Sequence, residues 1–483
     1  MTSMVFAPAT EFVRAKQASP HAALPAQPVK IAVEQADFQV LAQHMFSLML
    51  RNVSSDGFLF ADPLNQGQFS QPGCVIAAPS YPADQPGVDQ DYVFNWTRDA
   101  AVTAMEIASA ALPPRPGGGV QPLIDYVRFA KTCQANATPT LGHACFTIEG
   151  WSRPWTEQSD GPALQTLAIL QAFGQLDQET QALATEVIAA NMSFLLGTWE
   201  GPCAYTGQTT SLWEEHTGYS FFARATQLKC MRAISANTFG IPVPLGTDEA
   251  ISWLESALAG HWDGTRYLSL IAEPPGAQSP GDGAPSDPAG PGYDPNIDIV
   301  MAAVYGAVPV TDTRLLATAA QLRSQWADSG SPSVYPINVA DHDQRGIGPM
   351  MGRYPGDAYD GDTADPVMGG HPWALCTANF AELYYRLASE IARTQWLPFD
   401  DLSAPFFGQI GIWSGSSTTD AVAALDLAGD AMLQAIVSHS DNLELSEQFD
   451  GTSGYEKSVR NFTWSYAAFL SAVRAKSTRH VQG

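Results

Sequence analysis

Basic residues are scarce in this chain: 24 lysines and arginines stand against 49 aspartates and glutamates, a formal net charge of −25. A surface of that sign repels phosphate backbones and anionic lipids, which argues against nucleic acid and membranes as partners. A neutral ligand such as a sugar is compatible with the field. Long hydrophobic runs are also missing, since nowhere do the ~20 uninterrupted apolar residues of a bilayer span occur. The first thirty residues, rich in Ala and Pro, lack the apolar core of a signal peptide. They read as a flexible segment, 1–30, ahead of a single domain over 31–483. An extracellular or periplasmic location is expected if a signal has been removed, and a cytoplasmic one otherwise. The six cysteines (Cys74, Cys133, Cys145, Cys203, Cys230 and Cys376) show no CxxC spacing, so zinc and thioredoxin-like readings fail. Cys133 with Cys145, or Cys203 with Cys230, have disulfides open to them in an oxidising compartment. Buried free thiols are the equal alternative, and Cys376 within an apolar helix points that way. Strand-like alternation is confined to short pieces such as YLSLIA.

What is present is helix. With 45% apolar and 15% charged residues, the chain has the material for a sizeable core. Apolar residues recur at three and four positions through twelve segments: 33–51, 98–111, 121–135, 160–175, 178–198, 213–236, 247–259, 296–307, 312–328, 371–389, 420–438 and 460–475. Asp177 before QETQALATEV is an N-cap signal, and Pro295–Asn296 opens IDIVMAAVYGAV. The links alternate: long Gly/Pro-rich stretches precede every second segment, the extreme case being 273–296. Loops longer than ~12–15 residues in a compact domain are usually functional or disordered. Placed before alternate helices, they gather on one face of a ring of helical hairpins. Six hairpins in a ring make an all-α (α/α)6 barrel, and a monomer is expected. An open solenoid is the alternative, but no fixed-period repeat supports it.

The even-numbered segments open on unusual residues: Asp91-Tyr92-Val93-Phe94-Asn95-Trp96-Thr97-Arg98-Asp99 before the second, Leu212-Trp213-Glu214-Glu215 at the sixth, Leu445-Ser446-Glu447-Gln448-Phe449-Asp450 before the twelfth. A single carboxylate at a helix N-terminus is explained by the macrodipole. Aromatic, carboxylate and arginine together, repeated at one end of alternating helices, are not. With 12 Trp, 15 Tyr and 22 Phe, the chain also has rings to stack on sugars, although most such rings are core.

These motifs resemble glycoside hydrolase family 15, the glucoamylases. The matching stretches are DYVFNWTRDAAV, GWSRP with SDGPAL, LWEEHTGYSFF, GRYPGDAY, HPWALCTANFAELYYRL, and LSEQFDGTSG with NFTWSYAAFLSA, in family order along nearly the whole chain. The resemblance implies an (α/α)6 barrel that releases β-glucose from non-reducing ends of α-1,4-linked glucans with inversion, and it implies no metal or other cofactor. Residue by residue, it makes Glu214 the general acid and Glu447 the general base. Glu215 and Arg353 then bind sugar, Arg98 and Asp99 bind hydroxyls of the terminal glucose, and Tyr92, Trp96 and Trp464 surround it. Trp151 stacks near the scissile bond with Arg153 beside it. The chemistry is consistent: a leaving oxygen must be protonated while water is activated on the opposite ring face, which needs two carboxyl groups ~6.5–9.5 Å apart.

Three departures from the family pattern bear on function. Ser211 stands where an acidic residue usually precedes the acid. The links after Trp151 and over 359–371 are long, and the second carries Asp360, Asp362 and Asp365, a conceivable Ca²⁺ loop. No starch-binding module is expected beyond the last helix, which favours soluble oligosaccharides. Relatives acting on α-1,6 linkages or on trehalose are the runner-up reading. A silent sugar-binding or regulatory domain is more remote, because Glu214 and Glu447 are both intact, and so is a phosphorylase, because Glu447 would repel phosphate.

Overall fold

The computed structural model describes residues 37–62, 67–79, 91–197, 203–273, 285, 287–363 and 365–481. All of the expected 1–30 segment and half of the 273–296 link lie outside the described residues. Six helices form an inner ring: α2 (Thr97–Ser109), α4 (Asp160–Ala172), α6 (Phe221–Ala236), α8 (Asp298–Val304), α11 (Ala374–Thr394) and α14 (Thr463–Val481). Each packs on the next, and α14 returns to α2, so the ring is closed and the solenoid alternative fails. An outer set backs it: α1 (Phe38–Leu50), α3 (Gln121–Asn136), α5 (Gln178–Leu196), α7 (Thr247–Ala259), α9 (Thr313–Ala327) and α13 (Thr418–His439). The architecture is the (α/α)6 barrel.

Composition explains which helix goes where. Inner helices are buried on nearly every side and carry alanine where they cross: Ala100, Ala101, Ala163, Ala168, Ala225, Ala302, Ala378 and Ala467 are all buried. Small side chains let six helices approach a common axis at crystal-like density. Outer helices bury one stripe, as α1 does with Phe38, Met45 and Met49. Their starts are capped by short oxygen-bearing side chains: Asp177 accepts from the Thr180 amide at 2.8 Å, as its sequence signals, and Ser417 from Asp420 at 3.0 Å. One helix, α13, is long and apolar enough to cross a bilayer, yet it lies in the outer ring against α11.

Several sequence expectations need correction. The segment read as a helix over 213–236 is helical only from Phe221; before it come a turn and β4 (Thr217–Ser220). This strand sits between β3 (Thr209–Thr210) and β5 (Leu270–Ile271), whose β-branched residues favour extended chain. The helix expected from 296 starts at Asp298, after Asn296 Oδ1 has taken the Asp298 amide at 3.2 Å. Two further helices, α10 (Pro336–Arg345) and α12 (Ala404–Gly408), fall in segments read as links. All six cysteines are free thiols, so neither disulfide pairing forms. Short strand pairs dress the N-terminal ends of the inner helices: β1 (Asn95–Trp96) pairs with β2 (Cys145–Phe146) across α2 and α3, and β6 (Gln448–Phe449) forms a hairpin with β7 (Glu456–Lys457).

Candidate active site

Beside those strand pairs lies a cavity of about 360 Å³ at the N-terminal end of the ring, within the ~300–1,000 Å³ of small-molecule sites. Ten of the eleven side chains singled out in the sequence line it; Trp151 is the exception.

Glu214 owes its place to a tight turn. The Ser211 amide donates to the His216 carbonyl at 2.7 Å, and the Glu214 amide to the Ser211 carbonyl at 3.0 Å. Ser211 Oγ accepts from the amides of Glu215 and His216, each at 3.3 Å, so this serine pins the turn where the family pattern has an acid. Glu214 itself takes φ +66°, a left-handed conformation that a non-glycine residue adopts at a cost and that over-determined sites retain. It therefore stands seven residues ahead of α6 rather than at its N-terminus, and the macrodipole does not account for it. Two indoles hold the carboxyl group: Trp96 Nε1 donates to Oε1 at 2.7 Å and Trp155 Nε1 to Oε2 at 2.5 Å.

Glu447 comes from the segment entering β6 and is only 3% exposed. Three hydroxyls converge on it: Tyr92 Oη donates to Oε1 at 2.8 Å, Ser458 Oγ to Oε2 at 2.5 Å and Tyr359 Oη to Oε2 at 3.2 Å. Burial raises the Glu447 carboxyl above the ordinary range, while Ser458, Tyr92 and the nearby Arg353 charge oppose that shift. Tyr92 is pushed up by burial and by Glu447, which keeps its phenol a donor.

The remaining wall is built to hold polar groups. Arg98 Nη1 bonds Gln158 Oε1 at 2.8 Å, and its guanidinium lies 4.9 Å from the Trp464 ring. Trp464 Nε1 in turn bonds Tyr305 Oη at 3.1 Å. Arg98 Nε and Asp99 Oδ2 are buried, 3.5 Å apart, and neither has a hydrogen-bond partner. Burial pushes Asp99 up to about 7, against the pull of Arg98. Opposite, Arg353 is clamped by Asp357 at 2.8 and 2.6 Å and reaches Glu215 at 2.8 Å, while Tyr354 Oη bonds the other Glu215 oxygen at 2.5 Å.

Trp151 is 60% exposed and outside the cavity lining. Trp155, four residues on, stands in the wall instead. Arg153 does reach the wall: it donates to Asp91 and stacks 4.0 Å from Phe94 and 4.4 Å from Trp155. Sequence reasoning also missed Tyr359 and Ser458. Tyr359 closes the GRYPGDAY motif from which only Arg353 was taken; Ser458 had no signal. In the Asp-rich loop, Lys457 Nζ lies 2.9 Å from Asp360 and 3.1 Å from Asp362, where a cation would sit. No cluster of metal-ligating side chains occurs among the described residues.

Comparison with known proteins gives the family and agrees with the fold. The model of "Glycosyl hydrolases family 15" matches residues 47–474. A probable glucoamylase of Schizosaccharomyces pombe is 26% identical over 459 residues, covering 88% of each chain. Among solved structures, a glucoamylase from Saccharomycopsis fibuligera superposes with TM-score 0.70 at 21% identity, covering 95% of this chain and 98% of that one. A family 15 glucoamylase from Hypocrea jecorina gives TM-score 0.71 at 22% identity, covering 91% and 72%. With the barrel and the carboxylate-lined cavity, the family match over residues 47–474 places the chain: it belongs to glycosyl hydrolase family 15 and is a glycoside hydrolase of the glucoamylase type.

Proposed function

We propose that this cavity removes single glucose units from the non-reducing ends of α-1,4-linked glucans with inversion, the catalytic unit being residues 31–483. Glu214 donates a proton to the leaving glycosidic oxygen. Glu447 takes a proton from the water that attacks the anomeric carbon on the opposite face. The C–O bond to the leaving sugar breaks as the new one to water forms, and β-glucose leaves. Arg98 and Asp99 hold hydroxyls of the terminal glucose, with Trp464 and Tyr92 around it, while Glu215 and Arg353 hold the neighbouring sugar.

One observation carries the reading. Two glutamates from distant chain segments share one cavity in unlike surroundings: indole N–H donors and a strained turn for Glu214, burial among hydroxyls for Glu447. Two carboxyl groups facing one cavity are what an acid and a base flanking a glycosidic bond need. The test is proton NMR of the anomeric signals in the first minutes of maltose hydrolysis. β-Glucose is expected before mutarotation; initial α-glucose would remove Glu447 from the role of base. Initial rates on maltose, isomaltose and trehalose test the linkage, with maltose expected to be fastest.

A further inference from the structure

A second cavity, about 800 Å³, opens at the other end of the ring, among the C-terminal halves of α6, α11 and α14 and the chain leaving α8. It exists because α8 stops after 7 residues, whereas α6 runs for 16 and α11 for 21. Its lining is partly small and apolar, including Ala303, Ala307 and Val308, and partly charged, with Lys229, Arg386, Arg393 and Arg474 beside the carboxylates Glu382 and Glu390. That gathering of cations stands out in a chain whose net charge is −25 and whose lysines number only six.

The charges around this cavity do not cancel. Arg386 is answered by Glu382 at 2.6 Å, Arg474 by Glu106 at 2.5 Å and Arg393, also in the lining, by Glu390 at 2.5 Å. Lys229 makes no ion pair among the described residues, and Glu382, already bound to Arg386, acts on it only at longer range. Its Nζ reaches only the Val304 carbonyl, at 3.5 Å. Burial first, and then repulsion from Arg386, push this amine down to about 8. Lys229, Arg386 and Arg474 sit about two turns inside their helices, beyond the reach of the C-terminal dipole, which fades within the last turn; only Arg393 lies in a last turn. Their surplus is therefore a property of the cavity and not of helix ends.

We propose that this cavity is a binding site for a small phosphate group, seated between Lys229, Arg386 and Arg474. A tetrahedral anion offers several acceptor oxygens to convergent charged donors, the arrangement in which such hydrogen bonds are strongest. It supplies the missing countercharge of Lys229. The alanine and valine wall leaves room for the carbon part of a phosphomonoester. The overall negative field of the chain opposes any anion, so the affinity is on the order of millimolar.

Isothermal titration of the intact protein with inorganic phosphate tests this, at pH 7 and ionic strength matched with chloride, with glucose saturating the catalytic cavity. Saturable millimolar binding is expected, weakening at least tenfold in Lys229→Met and in Arg386→Gln, and weakening above pH 8 as Lys229 loses its charge. Glycerol phosphate binding more tightly than phosphate identifies an ester as the occupant; equal affinities identify free phosphate. Absence of saturable heat up to about 50 mM, or unchanged binding in the variants, would overturn the proposal. If Lys229→Met fails to fold, Arg386→Gln decides.

Discussion

Replacing Trp155 by Phe removes one indole N–H from the cavity while keeping an aromatic ring against Arg153, 4.4 Å away. The lost bond is the 2.5 Å contact to Glu214 Oε2. Hydrogen bonds to charged groups contribute ~1.5–3 kcal/mol, and Trp155 is 54% exposed, so solvent compensates part of the loss. A cost of ~1–2 kcal/mol in the transition state is expected, equivalent to a fall of roughly 5- to 30-fold in kcat/KM. Most of it should appear in kcat, because the bond orients the acid and does not hold the ground-state sugar. Trp151→Phe is the matched control. That side chain is 60% exposed and lies outside the cavity, and the residue is held through its backbone, its amide donating to Thr147 Oγ1 at 3.2 Å and its carbonyl accepting from the Thr147 amide at 2.7 Å. Less than a twofold change is expected there. Steady-state kinetics on maltose for both variants decides between them. An unaffected Trp155→Phe beside a crippled Trp151→Phe would mean that the long link between them repacks when substrate binds.

Glu214→Gln should lower kcat by ~10²–10⁴-fold with little change in melting temperature. The amide has one acceptor oxygen for two indole donors, so Trp96 and Trp155 cannot both stay bonded; retention of half the wild-type kcat would exclude Glu214 as the acid. Arg98→Lys keeps the charge beside Asp99 and Asp160 but loses the planar fork, and kcat/KM should fall ~30-fold, equivalent to ~2 kcal/mol, while the fold persists. Lost stability with unchanged kinetics would reduce Arg98 to a structural ion pair. Stability should fall as pH rises from about 4 to 7. Burial holds Asp99, Asp298 and Glu456 at about 7 in the folded state, so the native chain binds more protons than the unfolded one across that window. Asp177 and His261 work in the opposite sense: hydrogen bonds from Thr180 hold Asp177 at about 2, and burial and then the Arg224 charge hold His261 at about 3. The Asp177 contribution is lost as the pH falls from about 4 and that of His261 as it falls from about 6.5, the latter offsetting part of the trend from the three carboxyl groups. Circular-dichroism melts from pH 3 to 8 should therefore peak near pH 4–5; a melting temperature that climbs steadily to pH 7 would contradict the burial of these groups.

The twelve principal helices were legible in the sequence because burial on a helix repeats every three to four residues and caps are local. Asp177 needs only the Thr180 amide, and the sequence shows both. The glutamates were legible through motifs in which neighbouring residues travel together, as Trp213, Glu214 and Glu215 do. Closure of the ring was not, since α14 meets α2 across more than 350 residues and no local pattern records that contact. The turn at Glu214 was hidden for a related reason. Trp213 to Phe222 carries helical spacing, yet pairing of β4 with β3 and β5 from distant segments pulls it extended. Ser458 reaches Glu447 only because β7 folds back on β6, which turns an ordinary serine into a donor to the proposed base. Trp151 occupies the motif position, but the path of a long link is set by what it packs against. That tertiary path leaves Trp151 in solvent and delivers Trp155 to Glu214.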